Sequence, residues 1–181
     1  MTTESPAAAI SDCALTAADG SVQLRPMYAD AWIGLLQTHR QLTHELDGQL
    51  EAEHGLTLSG LELLARIAAA PDHWLRLSTV ASQTGLSLSR VSRIVDVLQA
   101  RRLVTRQSCP SDARAVNAHL TADGLALLRD AQRTHIAAVQ ARFFDHLSVE
   151  EVQALAGVFA RFAPGAVAQC TSTEEPLSAP R

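Results

Sequence analysis

Apolar residues recur at helical intervals through most of the chain. Over 28–54, Trp32, Leu35, Leu36, Leu42, Leu46 and Leu50 predict one long amphipathic helix ended by Gly55. Ser59 is placed to cap a short second helix carrying Leu61, Leu63, Leu64 and Ile67, which Pro71 stops. Ser78 can cap a third around Val80 and Ala81, ending near Thr84-Gly85. Ser87 or Ser89 opens a fourth, with Val91, Ile94, Val95 and Leu98 on one face. Then the pattern changes: 103–107 and 115–120 read as short strands about a turn at Ser108-Cys109-Pro110-Ser111-Asp112. Thr121 caps a long fifth helix with Leu125, Leu128, Ile136, Val139 and Phe143. Ser148 and Glu151 have capping-box spacing for a sixth, which bears Val152, Leu155, Val158, Phe159 and Phe162 and stops at Pro164. Residues 1–26 and 164–181 are poor in periodicity and rich in Ala, Ser and Thr, and predict flexible ends.

The third and fourth helices carry a more specific spacing. Ala81 is small where two helices must cross closely, and Gly85 can take the left-handed turn between them. Val91 and Ile94 are apolar where the second helix must pack back on the first. This is the pattern of a helix-turn-helix. Its polar face offers Ser87, Ser89, Arg90, Ser92 and Arg93. Short hydroxyls allow close approach to phosphates, and arginine can grip guanine edges or phosphate. Asp112-Ala113-Arg114 sits at the hairpin tip, where Arg114 can enter a minor groove and Asp112 can orient its guanidinium.

Charge sharpens this picture. The chain has 181 residues, about one domain, and a net charge of −4. All 15 basic residues are arginine. The absence of lysine excludes a Walker-type phosphate loop and Schiff-base chemistry, and no nucleophile–base motif suggests an enzyme. Seven arginines against Asp96 and Asp112 fall within 75–114, a basic segment inside an acidic protein. Duplex DNA is the commonest partner for such a segment. The aromatics segregate the other way, with Tyr28 and Trp32 early and Phe143, Phe144, Phe159 and Phe162 late. That distribution predicts that the terminal helices pack together, within one chain or between two.

Together these features resemble the MarR family of bacterial repressors. The matching residues are Leu88-Ser89-Arg90-Val91-Ser92-Arg93-Ile94-Val95-Asp96, Leu103-Val104, Asp112-Ala113-Arg114 and Leu120-Thr121-Ala122-Asp123-Gly124. The resemblance implies a mainly α winged helix-turn-helix fold with a two-stranded β wing. It places the MarR-type domain at 27–163, with a DNA-binding lobe at about 57–120 between dimerisation helices at about 28–54 and 121–163. It also implies a homodimer on a pseudo-palindromic double-stranded DNA operator, acting as a repressor. One position departs from the family: Arg102 stands where a glycine is usual, which predicts a strained left-handed cap at about 1 kcal/mol.

Many members of the family are released from DNA by a small aromatic or phenolic ligand. Trp32 and His39 on the first helix, with Arg66 as a carboxylate partner, are the candidate lining. Others sense oxidants, and Cys13, Cys109 and Cys170 are the thiols here, with no paired-cysteine spacing. The seven histidines show no ligand spacing, so no metal site or cofactor is predicted. The N-terminus lacks a signal-peptide pattern and no stretch is long enough to span a bilayer, which predicts a cytoplasmic protein. The alternative functions are a winged-helix module binding an acidic protein through the same arginines, or an oxidant-sensing regulator.

Overall fold

Helix starts and stops in this chain are set by local hydrogen bonds. The structure, a computed structural model, describes residues 12–109 and 112–162, with the backbone alone at 108, 109 and 112–115. Helix α1 (Pro26–His54) ends where Gly55 turns left-handed. Helix α2 (Leu58–Ala69) is capped by Thr57, whose hydroxyl accepts from the Gly60 N–H at 3.1 Å. Sequence reasoning had expected Ser59 in that role. The helix begins one residue before Ser59, and Asp47 of α1 takes the Leu58 N–H at 2.6 Å, so the first turn closes two residues earlier. Helix α3 (Leu77–Thr84) likewise starts ahead of the expected Ser78, behind Arg76. Helix α4 (Leu88–Ala100) opens at Ser87, which accepts from the Arg90 N–H.

Three strands have no counterpart in the sequence reading. Strands β1 (Ala14–Thr16) and β2 (Val22–Leu24) form an antiparallel hairpin within the expected flexible N-terminal segment. Its turn is held by Ser21 N–H donating to Asp19 and by Gly20 at a φ of 83°. Strand β3 (Trp74–Arg76) adds to the wing strands β4 (Val104–Cys109) and β5 (Asp112–Leu120), giving the antiparallel order β3-β5-β4. Trp74 faces His119 across the sheet, ring centres 4.7 Å apart. The expected tail at 164–181 lies outside the described residues.

Helix α5 (Ala122–Arg142) is opened by Thr121, which accepts from the Gly124 N–H at 3.0 Å and donates to the Arg102 and Leu103 carbonyls. Gly124 is fixed by space: a Cβ there would stand 2.1 Å from the Leu103 carbonyl oxygen. The chain divides between Arg133 and Thr134 into two compact units. In the first, Leu61, Leu63, Leu64 and Ile67 of α2 form the centre of the core. Leu50, Leu56, Val80, Val91, Val95, Leu98, Val104, Ala118, Leu120 and Leu128 close around them. No residue from 12 to 45 is buried, so the first five turns of α1 carry Tyr28, Trp32, Leu35 and Leu36 in the open. The second unit holds a 3-10 turn (Phe144–His146) and helix α6 (Val149–Phe162). The predicted capping box is present: Ser148 N–H donates to Glu151, and Glu151 N–H to the Ser148 hydroxyl.

Candidate nucleic-acid interface

The turn from α3 into α4 sets how α4 is displayed. Gly85 reverses the chain at a φ of 70°, and the Thr84 hydroxyl donates to the Val80 carbonyl and accepts from the Leu86 N–H. The Thr84 side chain thus bridges the end of α3 and the turn. Val91, Val95 and Leu98 then bury one face of α4 against the core. The opposite face is left to water.

Ser87, Ser89, Arg90 and Arg93 are exposed on that face, and Ser92 is half-buried at its margin. The Ser87 and Ser89 hydroxyls lie 3.1 Å apart, and Arg93 Nε reaches back to the Ser89 carbonyl at 3.4 Å. This folds the Arg93 side chain back along the preceding turn of α4. Two cationic forks and two short hydroxyls at a helix N-terminus form an anion-receptive surface. A cleft of about 580 Å³ runs alongside it, bounded by Glu51, Leu56 and Thr57 and by Arg90, Arg93 and Ile94 of α4.

Not every arginine of the basic segment serves this surface. Arg106 on β4 donates to the Ser92 carbonyl at 2.8 Å and its hydroxyl at 3.0 Å, and pairs with Asp96 at 3.0 Å. It braces α4 to the wing, with the Ser92 hydroxyl as acceptor. Arg101 is turned toward the end of α1, onto the His54 and Gly55 carbonyls. Local charge counting therefore overstated the free positive surface. Unlike charges at Asp96 and Arg106 were the only sequence trace of the brace. Arg102 takes the left-handed conformation, with a φ of 61°, at the position where a glycine was missed. The backbone of the wing continues to Cys109 and resumes at Asp112, but the side chains of Asp112 and Arg114 lie outside the described residues.

The candidate ligand residues are more dispersed. His39 lines a shallow groove along α1 with Leu36, Arg40, Thr43, His44 and Asp47, and neither Trp32 nor Arg66 is among its walls. Trp32 is 53% exposed. Arg66 pairs with Glu62 one turn earlier on α2, at 3.4 Å. Among the described residues no group of three His, Cys, Asp or Glu side chains could hold a metal ion, and no helix is long and apolar enough to cross a membrane.

A family model described as MarR family matches residues 54–115, the stretch from the end of α1 into the wing. AbsC, a MarR family transcriptional regulator from Streptomyces coelicolor, is 32% identical with a TM-score of 0.72, over 78% of this chain and 95% of AbsC. The chain belongs to the MarR family. A second MarR family transcriptional regulator from S. coelicolor, solved in complex with DNA, is 30% identical with a TM-score of 0.74. That match covers 79% of this chain and 89% of the other. The PcaV transcriptional regulator from the same organism, solved with its natural ligand, is 25% identical with a TM-score of 0.59, over 78% of this chain and 94% of PcaV. No curated protein matches the chain significantly in sequence. The family's fold accounts for the helix-turn-helix followed by a wing, here with the three-stranded sheet β3-β5-β4.

Proposed function

We propose that this MarR protein is a sequence-specific, double-stranded-DNA-binding transcriptional repressor that acts as a homodimer on a pseudo-palindromic operator. The observation that carries the reading is the exposed face of α4, where Ser87, Ser89, Arg90 and Arg93 stand clear of a core anchored by Val91, Val95 and Leu98. A helix presented this way fits a major groove, and the strands that follow it fit the role of a wing. The 30%-identical relative solved in complex with DNA supports the same use of the surface. A second copy covering the open apolar residues of α1 supplies the dimer, with its two recognition helices about 34 Å apart to meet successive turns of DNA. Such a partner places the protein in the cytoplasm, with the chromosome. Release by a small aromatic or phenolic ligand completes the proposal, supported by the relative solved with its natural ligand.

The test is direct. The parent protein selects its tightest duplex from a randomised library, and Arg93→Ala is titrated against that duplex. The variant loses about 1–3 kcal/mol of binding and relaxes sequence preference at one or two positions, if Arg93 reads a base edge. An unchanged affinity and preference overturns the assignment of α4. A parent that binds heparin yet selects no duplex points to an acidic protein partner instead.

A further inference from the structure

Helix α1 ends at Gly55, and ending there leaves its last carbonyls without donors from its own helix. The Gly55 N–H bonds back to the Glu51 carbonyl at 2.9 Å and the Leu56 N–H to the Leu50 carbonyl at 3.3 Å. The carbonyls of His54 and Gly55 are met from another element. Arg101, the residue that closes α4, donates through Nη2 to the His54 carbonyl at 2.8 Å and through Nη1 to the Gly55 carbonyl. Its guanidinium lies flat against Gly55, so that a Cβ there would stand 3.2 Å from Nη1 and 3.4 Å from Cζ. Glycine at 55 thus supplies both the left-handed φ of 62° and the room for Arg101. A cation at the negative end of a long helix dipole is favoured, and only a planar fork reaches two adjacent carbonyls at once.

The tie has a mechanical meaning. Val91, Val95 and Leu98 hold α4 to the core through apolar packing, which resists separation but is not directional. Among the described residues, polar ties from α4 to other elements include Arg106 at mid-helix and Arg101 at its end. Helix α1 enters the core only through its last turns, at Leu46 and Leu50. Arg101 therefore joins α4 to α1 at the point where α1 leaves the core. We propose that Arg101 is a positioning residue for DNA recognition, locking α4 to the end of α1 so that displacement of α1 is passed to Arg90 and Arg93. The inference rests on the DNA-binding reading above and adds to it the route by which the rest of the protein acts on the recognition helix.

The full chain is compared with Arg101→Met, Arg101→Lys and Gly55→Ala, each first checked for a cooperative unfolding transition. The probes are the duplex selected by the parent and a duplex of unrelated sequence. Affinity for the selected duplex falls about tenfold in Arg101→Met and in Gly55→Ala, and Arg101→Lys recovers only part of it. Affinity for the unrelated duplex, and the salt dependence of both, stay at parent values, because the groups facing DNA are untouched. The Arg101→Met, Gly55→Ala double variant is little worse than the poorer single variant, since both break one tie. If Arg101 instead touches phosphate, Arg101→Met weakens both duplexes alike, Arg101→Lys restores both, and the salt slope drops by about one. That result overturns the inference, as does parent-like affinity for the selected duplex in all three variants. A parent that selects no duplex is a different failure: it removes the DNA-binding reading, and this inference with it.

Discussion

The two halves of α1 share one sequence pattern and meet opposite fates. In the last turns, Leu46 and Leu50 are buried, Asp47 accepts the first N–H of α2, and Arg101 meets the His54 and Gly55 carbonyls. In the first turns, Trp32, Leu35 and Leu36 recur at the same spacing, yet all are exposed. Periodicity reports that a helix has an apolar face; it does not report what covers that face. Within this unit the lower half belongs to the core and the upper half is offered to something else. The sharpest test is to damage each half in turn. Leu50→Ala, at a position 1% exposed, lowers stability to urea by about 2–5 kcal/mol at every protein concentration. Leu36→Asp in the upper half leaves the unfolding of the core alone and reduces self-association, read by sedimentation over a dilution series. If Leu36→Asp sediments as the parent does, no second copy covers this face.

Effector binding gives the next test of the upper half. An indole exposed on a free helix face reports whatever comes to cover it. Aromatic carboxylates or phenols that act there quench tryptophan fluorescence and weaken binding to the selected duplex over the same concentration range. Trp32→Phe removes most of that quench and leaves DNA binding intact, because Trp74 is held in the sheet beside His119. Quenching that survives Trp32→Phe moves the ligand to the Trp74 side. Trp32 and His39 stand on α1 and Arg66 on α2, so the sequence offers their chemistry without stating whether they share one site.

What was legible follows a physical rule. Most signals that act within four residues were read correctly: Gly55 as a helix stop and Gly85 as a left-handed one, Ser87 as one of two candidate caps, Thr121 as a cap, and Ser148 with Glu151 as a reciprocal box, whereas Ser59 and Ser78 gave way to Thr57 and Arg76. Features made by distant partners were not. Strand β3 is three residues long and exists by pairing with β5, more than forty positions on. The ties of Arg101 and Arg106 reach across 46 and 14 positions, so both looked like free charge. The hairpin β1–β2 is a different kind of omission, because its signal was local. Asp19-Gly20 between Leu15-Thr16 and Val22-Gln23-Leu24 is a strong turn signature that the bland composition around it obscured.

Arg102 allows the local rule to be measured. It adopts the same left-handed conformation as Gly55 and Gly85, but with a side chain. Replacing it by glycine relieves the backbone strain, and stability to urea rises by about 1 kcal/mol. An arginine that loses stability on this change would be held by a contact of its side chain rather than tolerated at its cap.

The smallest expected effect comes from α5, which runs across the division of the chain. Leu128 and Ala131 are buried in the first unit's core, whereas His135 lies just beyond the division, in the second. Its Nδ1 is buried with no hydrogen-bond partner, and burial lowers the imidazole pKa below its ordinary 6.5. The folded chain therefore holds this ring neutral while the unfolded chain protonates first as the pH falls. Stability from the neutral ring is complete above 6.5 and is lost as the pH drops toward the depressed folded value. The residue is only half-buried, so solvent screens the effect and it stays smaller than those above. Urea unfolding on either side of 6.5 shows the slope in the parent, and His135→Gln flattens part of it, since the amide cannot take up a proton in either state. An equal slope in the variant assigns the acid sensitivity to the other histidines and leaves His135 an ordinary packing residue.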